Sequence, residues 1–217
     1  MVKRLKRWAL GTGIISVGLF ALAGTWRDPW LWAYVLLWSS ATGYAMFSMD
    51  EDLLQERFHP PTAGADDVAL HFVRAAALSH FVVGALDSGR WHLTSVPPGL
   101  RAVGLAVLAA TLWMFFRAMR ENRFFSSVVR VQNERGHRVV DSGPYSIVRH
   151  PGYAGLMWAI PFSGLALGSW LAAAIGLVMS GLVLRRVLFE DAFLTKNLEG
   201  YAAYTGRVRH RLIPGVW

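Results

Sequence analysis

The chain has 217 residues, of which 54% are hydrophobic and 17% charged, and its formal net charge is +8. A mean hydropathy of +0.34 with so few charged residues excludes an ordinary soluble domain and indicates an integral membrane protein. The chain has no cysteine, which excludes disulfides, thiolate metal sites and a cysteine nucleophile. Because the basic residues are spread along a membrane chain, we interpret them as signs of topology and contact with membrane lipids, and we expect no nucleic-acid partner.

Two apolar runs open the chain. Residues 8–26 follow a basic segment at residues 1–7, and residues 30–49 form a second run after the turn Arg27-Asp28-Pro29. Both runs are long enough to cross a membrane as helices. A cleaved signal peptide is the alternative for the first run, but its length and the second run close behind it favour a retained span.

Residues 50–67 are predicted to form a solvated connector, because they hold six acidic residues against one arginine. They lack the glycine and spacing of a calcium loop, so no metal site is expected. The third span, residues 68–86, contains His71, Arg74 and His80. Ionisable groups in a span usually face the protein interior or a watery cavity, although His71 and Arg74 could instead extend to the nearby interface.

A fourth span has an uncharged core at residues 103–116 and is followed by a basic segment to residue 152. Residues 153–184 carry no charge and exceed the roughly 20 residues of one span, so Gly168-Ser169 near their middle predicts a helix-turn-helix. The two ends of this hairpin would meet on one side of the membrane. We therefore expect Arg149 and His150 to lie near Arg186 and Glu190.

These patterns predict an all-α integral membrane protein with about six membrane helices, the last two forming the hairpin. Residues 1–116 would form the first four helices, and residues 117–217 a functional region within the same structural domain. The arginine excess after the fourth span matches the basic N-terminus if both face the cytoplasm, so we expect both termini there. A bacterial inner membrane is favoured over the endoplasmic reticulum. Residues 193–204 have the three- and four-residue spacing of an amphipathic interfacial or lid helix.

The densest polar motif is GPYSIVRHPGYAG at residues 143–155. Its prolines and glycines disfavour a continuous helix. It presents Tyr145, Arg149, His150 and Tyr153 from a constrained loop just before the uncharged hairpin. A polar loop at the mouth of a membrane hairpin is a candidate functional site.

From about residue 132 onward the chain resembles the isoprenylcysteine carboxyl methyltransferase family and the wider group that includes the phospholipid N-methyltransferases. The resemblance covers about 40% of the chain and combines several motifs in a fixed order. They are Gln132-Asn133-Glu134, His137 to Val140, Gly143-Pro144-Tyr145, Arg149 to Tyr153, Glu190-Asp191 with Leu194, and Gly200-Tyr201 through Tyr204 to Arg211-Leu212-Ile213-Pro214.

The resemblance implies a methyltransferase that uses S-adenosyl-L-methionine in a cytoplasmic pocket and receives a lipophilic small molecule or prenylated substrate from the bilayer. Arg186 and Glu190 would be the catalytic, substrate-side pair. Asp191 departs from the Glu-Glu pair frequent in the family, which leaves its role open. The expected cofactor contacts are Gln132, His137, Arg138, Val139, Val140, Tyr145, Arg149, His150, Pro151, Gly152 and Tyr153.

The residue types fit methyl transfer in their own right. Tyrosine rings can face a sulfonium cation, and Arg149 could bind the cofactor carboxylate as a fork. Arg186 lies four residues before Glu190, so on one helix face its guanidinium could hold an anionic acceptor. An amine acceptor would instead need Glu190 or His150 as a base. Tyr201 and Tyr204 are interpreted as interfacial packing.

Other functions stay open at this point. A phospholipid (ethanolamine) N-methyltransferase would use the same cofactor on an amine. A membrane reductase of the sterol type would bind NADPH, with Arg149 on the nicotinamide cofactor. A non-catalytic membrane subunit or transporter would tolerate His150→Ala and Glu190→Ala. The clustering of polar residues at one end of the hairpin argues against this last reading.

Overall fold

The computed structural model describes residues 1–60 and 64–217, and within these ranges the fold is helical and contains no strand. Residues 61–63 of the predicted connector lie outside the described residues. The helices are α1 (Val2–Ala23), α2 (Pro29–Ser48), α3 (Glu51–Phe58), α4 (Asp67–Leu86), α5 (Pro98–Glu121), α6 (Pro151–Leu167), α7 (Trp170–Asn197) and α8 (Tyr201–Arg207). Short turns of π-helix at Asp87–Trp91 and of 3₁₀-helix at Asn133–Arg135 and Gly143–Ser146 lie between them.

Helices occupy all six predicted span positions. Of the described helices, α1, α5 and α7 are long and apolar enough to cross a membrane by length and composition. The chain is therefore an integral membrane protein. α6 has 17 residues with Pro161 inside it, which is short of the roughly 20 residues of a full span. Six complete crossings therefore stay a prediction.

The predicted hairpin between α6 and α7 is confirmed. α6 ends at Leu167, and Gly168 follows with a φ of 91°, a left-handed conformation that suits glycine. The Ser169 hydroxyl then accepts a hydrogen bond from the N–H of Ala172 at 3.1 Å and caps α7. A glycine stop followed directly by a serine cap reverses the chain within two residues.

Glycines allow α5, α6 and α7 to pack closely. A Cβ added to Gly155 of α6 would lie 2.8 Å from the carbonyl oxygen of Thr111 on α5. On the other side, one added to Gly164 would lie 2.2 Å from the nitrogen of Ala173 on α7. Since apolar burial does not drive helices together in lipid, close backbone packing at small residues is a main source of their association.

A chain of hydrogen bonds crosses the buried interior of the bundle. The Tyr34 hydroxyl is 2.6 Å from the Ser163 hydroxyl, which is 3.0 Å from Nε2 of His80. Nδ1 of His80 is 2.9 Å from the carbonyl oxygen of Ala172. His80 thus faces the protein interior, as one of the two sequence interpretations proposed, while His71 and Arg74 of the same helix are exposed.

The expectation of a solvated connector at residues 50–67 is wrong for its central part, which forms α3. Glu56 on this helix is only 3% exposed. It accepts hydrogen bonds from Nη2 of Arg130 at 2.6 Å and from the Ser126 hydroxyl at 2.7 Å. The acidic residue that sequence reasoning left in water is therefore an anchor for the segment that precedes the motif.

The predicted amphipathic helix over residues 193–204 is interrupted. α7 runs to Asn197, and α8 begins only at Tyr201 after Gly200, whose φ is 80°. The break turns α8 back, so Tyr201 and Tyr204 are buried together with Leu198 and Val208. α8 and the residues that follow it (208–217, called the tail) thereby cover the polar end of the hairpin.

Candidate active site

A cavity of about 1160 Å³, counting its open mouth, lies at the polar end of α6 and α7. One part of its wall is apolar and comes from membrane helices, with Val73 on α4, Leu156 on α6 and Val183 on α7. The other part is polar and comes from the 143–155 motif and the second half of α7. A cavity with an apolar side and a few polar groups is typical of a ligand-binding site.

Asp191 is the centre of a buried network beside this cavity. Arg149 donates to it at two points, from Nε to Oδ1 and from Nη2 to Oδ2, both at 2.8 Å. Nε2 of His150 lies 3.0 Å from Oδ1. The Tyr201 hydroxyl donates to the same oxygen at 3.1 Å, and Nε of Arg211 donates to Oδ2 at 2.9 Å. One carboxylate therefore joins the motif, α7, α8 and the tail.

The motif is also bonded to the backbone of the tail. Nη1 of Arg149 donates to the carbonyl oxygens of Val208 at 2.9 Å and Arg209 at 2.8 Å. The peptide N–H groups of Arg149 and His150 donate to the carbonyls of His210 and Arg211, each at 2.9 Å. The hydrogen bonds of Arg149 and His150 to Asp191 confirm the expectation that the motif lies close to Glu190 and Asp191.

Arg149 has different partners from those expected. It was predicted to bind the cofactor carboxylate, and each of its three guanidinium nitrogens donates to Asp191 or to the tail carbonyls. The Asp191 carboxylate also raises the pKa of Arg149. Asp191, whose role sequence reasoning left open, is the centre of this network, and the cofactor contact of Arg149 stays a prediction.

The predicted catalytic pair is joined through a third residue. Nε of Arg186 donates to the Tyr153 hydroxyl at 2.9 Å, and that hydroxyl donates to Oε2 of Glu190 at 2.7 Å. Nη2 of Arg186 donates to the carbonyl of Ser127 at 2.7 Å. Nη1 has no hydrogen-bond partner within the described ranges. Arg186 therefore lies fixed in the cavity wall with unused donors.

The predicted cofactor segment 137–140 lines the cavity. Within the part of the chain that the structure describes, the peptide groups of Arg138, Val139 and Val140 make no hydrogen bonds to other residues. Nδ1 of His137 accepts from the N–H of Gln132 at 3.2 Å, and its ring stacks on Phe124 with centroids 4.5 Å apart. Burial, with the charges of Arg130 and Arg135 adding to it, lowers the pKa of His137 to about 4. The imidazole is therefore neutral near pH 7.

Two predicted cofactor contacts do not line the cavity. Gln132 is 1% exposed, and its amide nitrogen donates to the carbonyl of Phe124 at 2.7 Å while its amide oxygen accepts from Arg135. Pro151 is buried at the first turn of α6, where its missing N–H costs nothing. Both residues hold the local backbone. The remaining predicted contacts line the cavity, and they are His137, Arg138, Val139, Val140, Tyr145, Arg149, His150, Gly152 and Tyr153.

Sequence reasoning missed Tyr201 and Tyr204, which it took for interfacial packing. Both rings line the cavity, and the Tyr204 hydroxyl donates to the carbonyl of Tyr145 at 2.6 Å. Burial raises the pKa of Tyr201, which keeps its hydroxyl protonated as a donor to Asp191. The signal available in the sequence was the Tyr-x-x-Tyr spacing directly after Gly200, where a helix reversal is possible.

The fold and part of the sequence are similar to those of known proteins. A solved structure titled as the eukaryotic intramembrane Ras methyltransferase ICMT (isoprenylcysteine carboxyl methyltransferase) matches with a TM-score of 0.62 at 17% identity, over 96% of this chain and 75% of that chain. The two proteins thus share a fold. Residues 102–196 match the model of the Isoprenylcysteine carboxyl methyltransferase (ICMT) family. The matched segment is less than half of the chain, so the similarity to this family is one of residues 102–196.

Curated relatives match over about two fifths of the chain. A probable protein-S-isoprenylcysteine O-methyltransferase of Oryza sativa subsp. indica is 33% identical over 92 residues, which are 42% of this chain and 48% of the relative. Protein-S-isoprenylcysteine O-methyltransferase B of Arabidopsis thaliana is 30% identical over 89 residues, 40% of this chain and 45% of the relative. The chain thus matches about half the length of these relatives.

Proposed function

We propose that the chain is an S-adenosyl-L-methionine-dependent methyltransferase that methylates the carboxylate of a lipophilic acceptor of the isoprenylcysteine type. The observation that carries this proposal is the array of Arg186, Tyr153 and Glu190 in the wall of a cavity that is apolar on its membrane side. An acceptor with a lipid chain and a terminal carboxylate matches this cavity, because its chain can contact the apolar wall and its carboxylate can bind Arg186. The names of the plant relatives refer to acceptors of this kind.

The cavity residues fit the proposed cofactor. The free peptide groups at residues 138–140 offer donors and acceptors for an adenine ring. The aromatic side chains of Tyr145, Tyr201 and Tyr204 line the same cavity and offer faces for a ring or a cation.

When bound, S-adenosyl-L-methionine supplies an electrophilic methyl group on a sulfonium. A carboxylate oxygen needs no base, because it is already an anion, so this chain contributes by positioning and by exclusion of water. Nη1 of Arg186 would hold the acceptor carboxylate by charge-assisted hydrogen bonds. Glu190 accepts from the Tyr153 hydroxyl and thereby keeps that oxygen aimed at Nε of Arg186. The pair and its tyrosine thus fix one orientation of the acceptor.

The first test is calorimetric binding of S-adenosylhomocysteine to the detergent-purified protein, beside NADPH. We expect micromolar binding of S-adenosylhomocysteine, its loss in His150→Ala and no signal with NADPH. His210→Ala is the matched control, because the His210 side chain lies outside the cavity. Absence of S-adenosylhomocysteine binding to folded protein would overturn the proposal, and binding of NADPH alone would support a reductase.

The second test identifies the acceptor class. Protein supplied with radiolabelled S-adenosyl-L-methionine is incubated with N-acetyl-S-farnesylcysteine or with phosphatidylethanolamine. A base-labile methyl ester on the former is the expected product. A base-stable label on phosphatidylethanolamine alone would instead assign the chain to the N-methyltransferases.

A further inference from the structure

Arg57 on α3 faces the same cavity as Tyr153 and Arg186. Its guanidinium carbon lies 6.0 Å from the ring centroid of Phe115 and 5.9 Å from that of Phe125. These two rings pack edge to face, with centroids 5.5 Å apart. The positive charge therefore rests against aromatic rings on one side and faces the cavity on the other.

Arg57 makes no hydrogen bond and no ion pair with any group that the structure describes, which leaves out residues 61–63 and the side chains of residues 67–69. Two other arginines of this wall are neutralised, Arg130 by Glu56 at 2.6 Å and Arg149 by Asp191 at 2.8 Å. The Arg57 guanidinium is half-buried and its donors face the cavity, so an anion that enters the cavity can bind them by charge-assisted hydrogen bonds. Arg57 thus has the property expected of a ligand-binding cation.

The acidic neighbour of Arg57 in the sequence, Glu56, does not pair with it. Glu56 is committed to Arg130 and Ser126 and cannot turn to neutralise Arg57. Burial lowers the pKa of Arg57, Tyr153 acts in the opposite direction, and the positive charges of Arg186 and Arg74 add to the lowering. The wall around Arg57 and Arg186 therefore has an excess of positive charge.

We propose that Arg57 and Arg186 form a carboxylate-binding subsite, in which Arg57 is a second residue that positions the ligand. This inference rests on the proposed function and adds to it a contact from α3, which precedes the segment shared with the family model. The carboxylate has two possible sources, the methyl acceptor and the amino-acid end of the methyl donor. A planar guanidinium fork suits either one.

The test compares wild type with Arg57→Gln and Arg57→Lys in detergent. Binding of N-acetyl-S-farnesylcysteine, of its carboxamide and of S-adenosylhomocysteine is measured by calorimetry, and methyl transfer is measured separately. Arg117→Gln is the matched control, since Arg117 is exposed on α5 and outside the cavity. Thermal unfolding of each variant verifies that the protein is folded.

We expect Arg57→Gln to weaken binding of the carboxylate probe by about tenfold to a hundredfold and to abolish its preference over the carboxamide. Arg57→Lys should lose less, because it keeps the charge. If S-adenosylhomocysteine binding falls instead, the subsite holds the donor's carboxylate. If neither carboxylate ligand binds less tightly to folded Arg57→Gln, the subsite is refuted. Direct binding also separates this failure from that of the proposed function, in which wild type itself binds no S-adenosylhomocysteine.

Discussion

Arg149 and Asp191 are joined by two parallel hydrogen bonds of 2.8 Å each, and both side chains are about 95% buried. Asp191→Asn would leave the Arg149 guanidinium buried without its counter-charge. Breaking a buried pair on one side typically costs about 3 to 5 kcal/mol. We expect a loss of this size in thermal or denaturant unfolding in detergent.

The control for that prediction is Asp141→Asn. Asp141 pairs with Arg207 at 2.6 Å, but these side chains are 52% and 61% exposed. An exposed pair contributes about 1 kcal/mol or less. Equal losses in the two variants would show that burial of the Asp191 network does not matter for stability.

Tyr153→Phe removes the hydroxyl between Arg186 and Glu190 and leaves the ring in place. We expect methyl transfer to fall by about a hundredfold, because Arg186 loses the contact that fixes its orientation. S-adenosylhomocysteine binding should stay within a few-fold of wild type. Tyr44→Phe is the matched variant, since the Tyr44 hydroxyl accepts from Arg120 at an exposed position far from the cavity. A Tyr153→Phe protein as active as Tyr44→Phe would contradict the proposed role.

Gly155→Ala tests the close packing of α5 and α6. The new Cβ would lie 2.8 Å from the carbonyl of Thr111 and 3.1 Å from the nitrogen of Phe115, and neither backbone atom can move alone. We expect a loss of about 1 to 3 kcal/mol. Gly181→Ala on α7 meets nothing within 4 Å and should leave the melting temperature unchanged or slightly higher. Similar melting temperatures for the two variants would argue against tight helix contact at Gly155.

The pKa of His137 predicts a pH dependence. Its folded value of about 4 lies below the unfolded value of about 6.5, so the folded state binds fewer protons. The resulting contribution is constant above about pH 7, and stability falls as the pH drops from 6.5 towards 4. Between pH 7.5 and 5.0 the melting temperature of wild type should decrease more than that of His137→Gln. Parallel decreases would contradict a depressed pKa.

The helical hairpin could be predicted because its signals are local. An uncharged run longer than one span, with Gly168-Ser169 near its middle, suffices to place two helices and their common polar end. The same reasoning brought Arg149 close to α7 before any coordinates were known. Periodicity and turn residues thus defined the general location of the site.

The partners within the site could not be predicted, because they depend on distant residues and on backbone groups. Arg149 and Asp191 are 42 residues apart, and Glu56 and Arg130 are 74 apart. The carbonyls of Val208 and Arg209 bind Arg149, and a carbonyl has no signature in a sequence. The Arg149 guanidinium can bind a ligand or a neighbouring carboxylate, and sequence reasoning alone assigned it to the ligand.

The contacts of residues 208–211 with the motif also determine when the site can exist during synthesis. The carbonyls that bind Arg149 and His150 are added about 60 residues after them. A ribosome that has just completed α7 has therefore made the cavity wall but not the backbone that fixes the motif. The nascent protein would become competent only once residues 208–211 have emerged and folded back onto the motif.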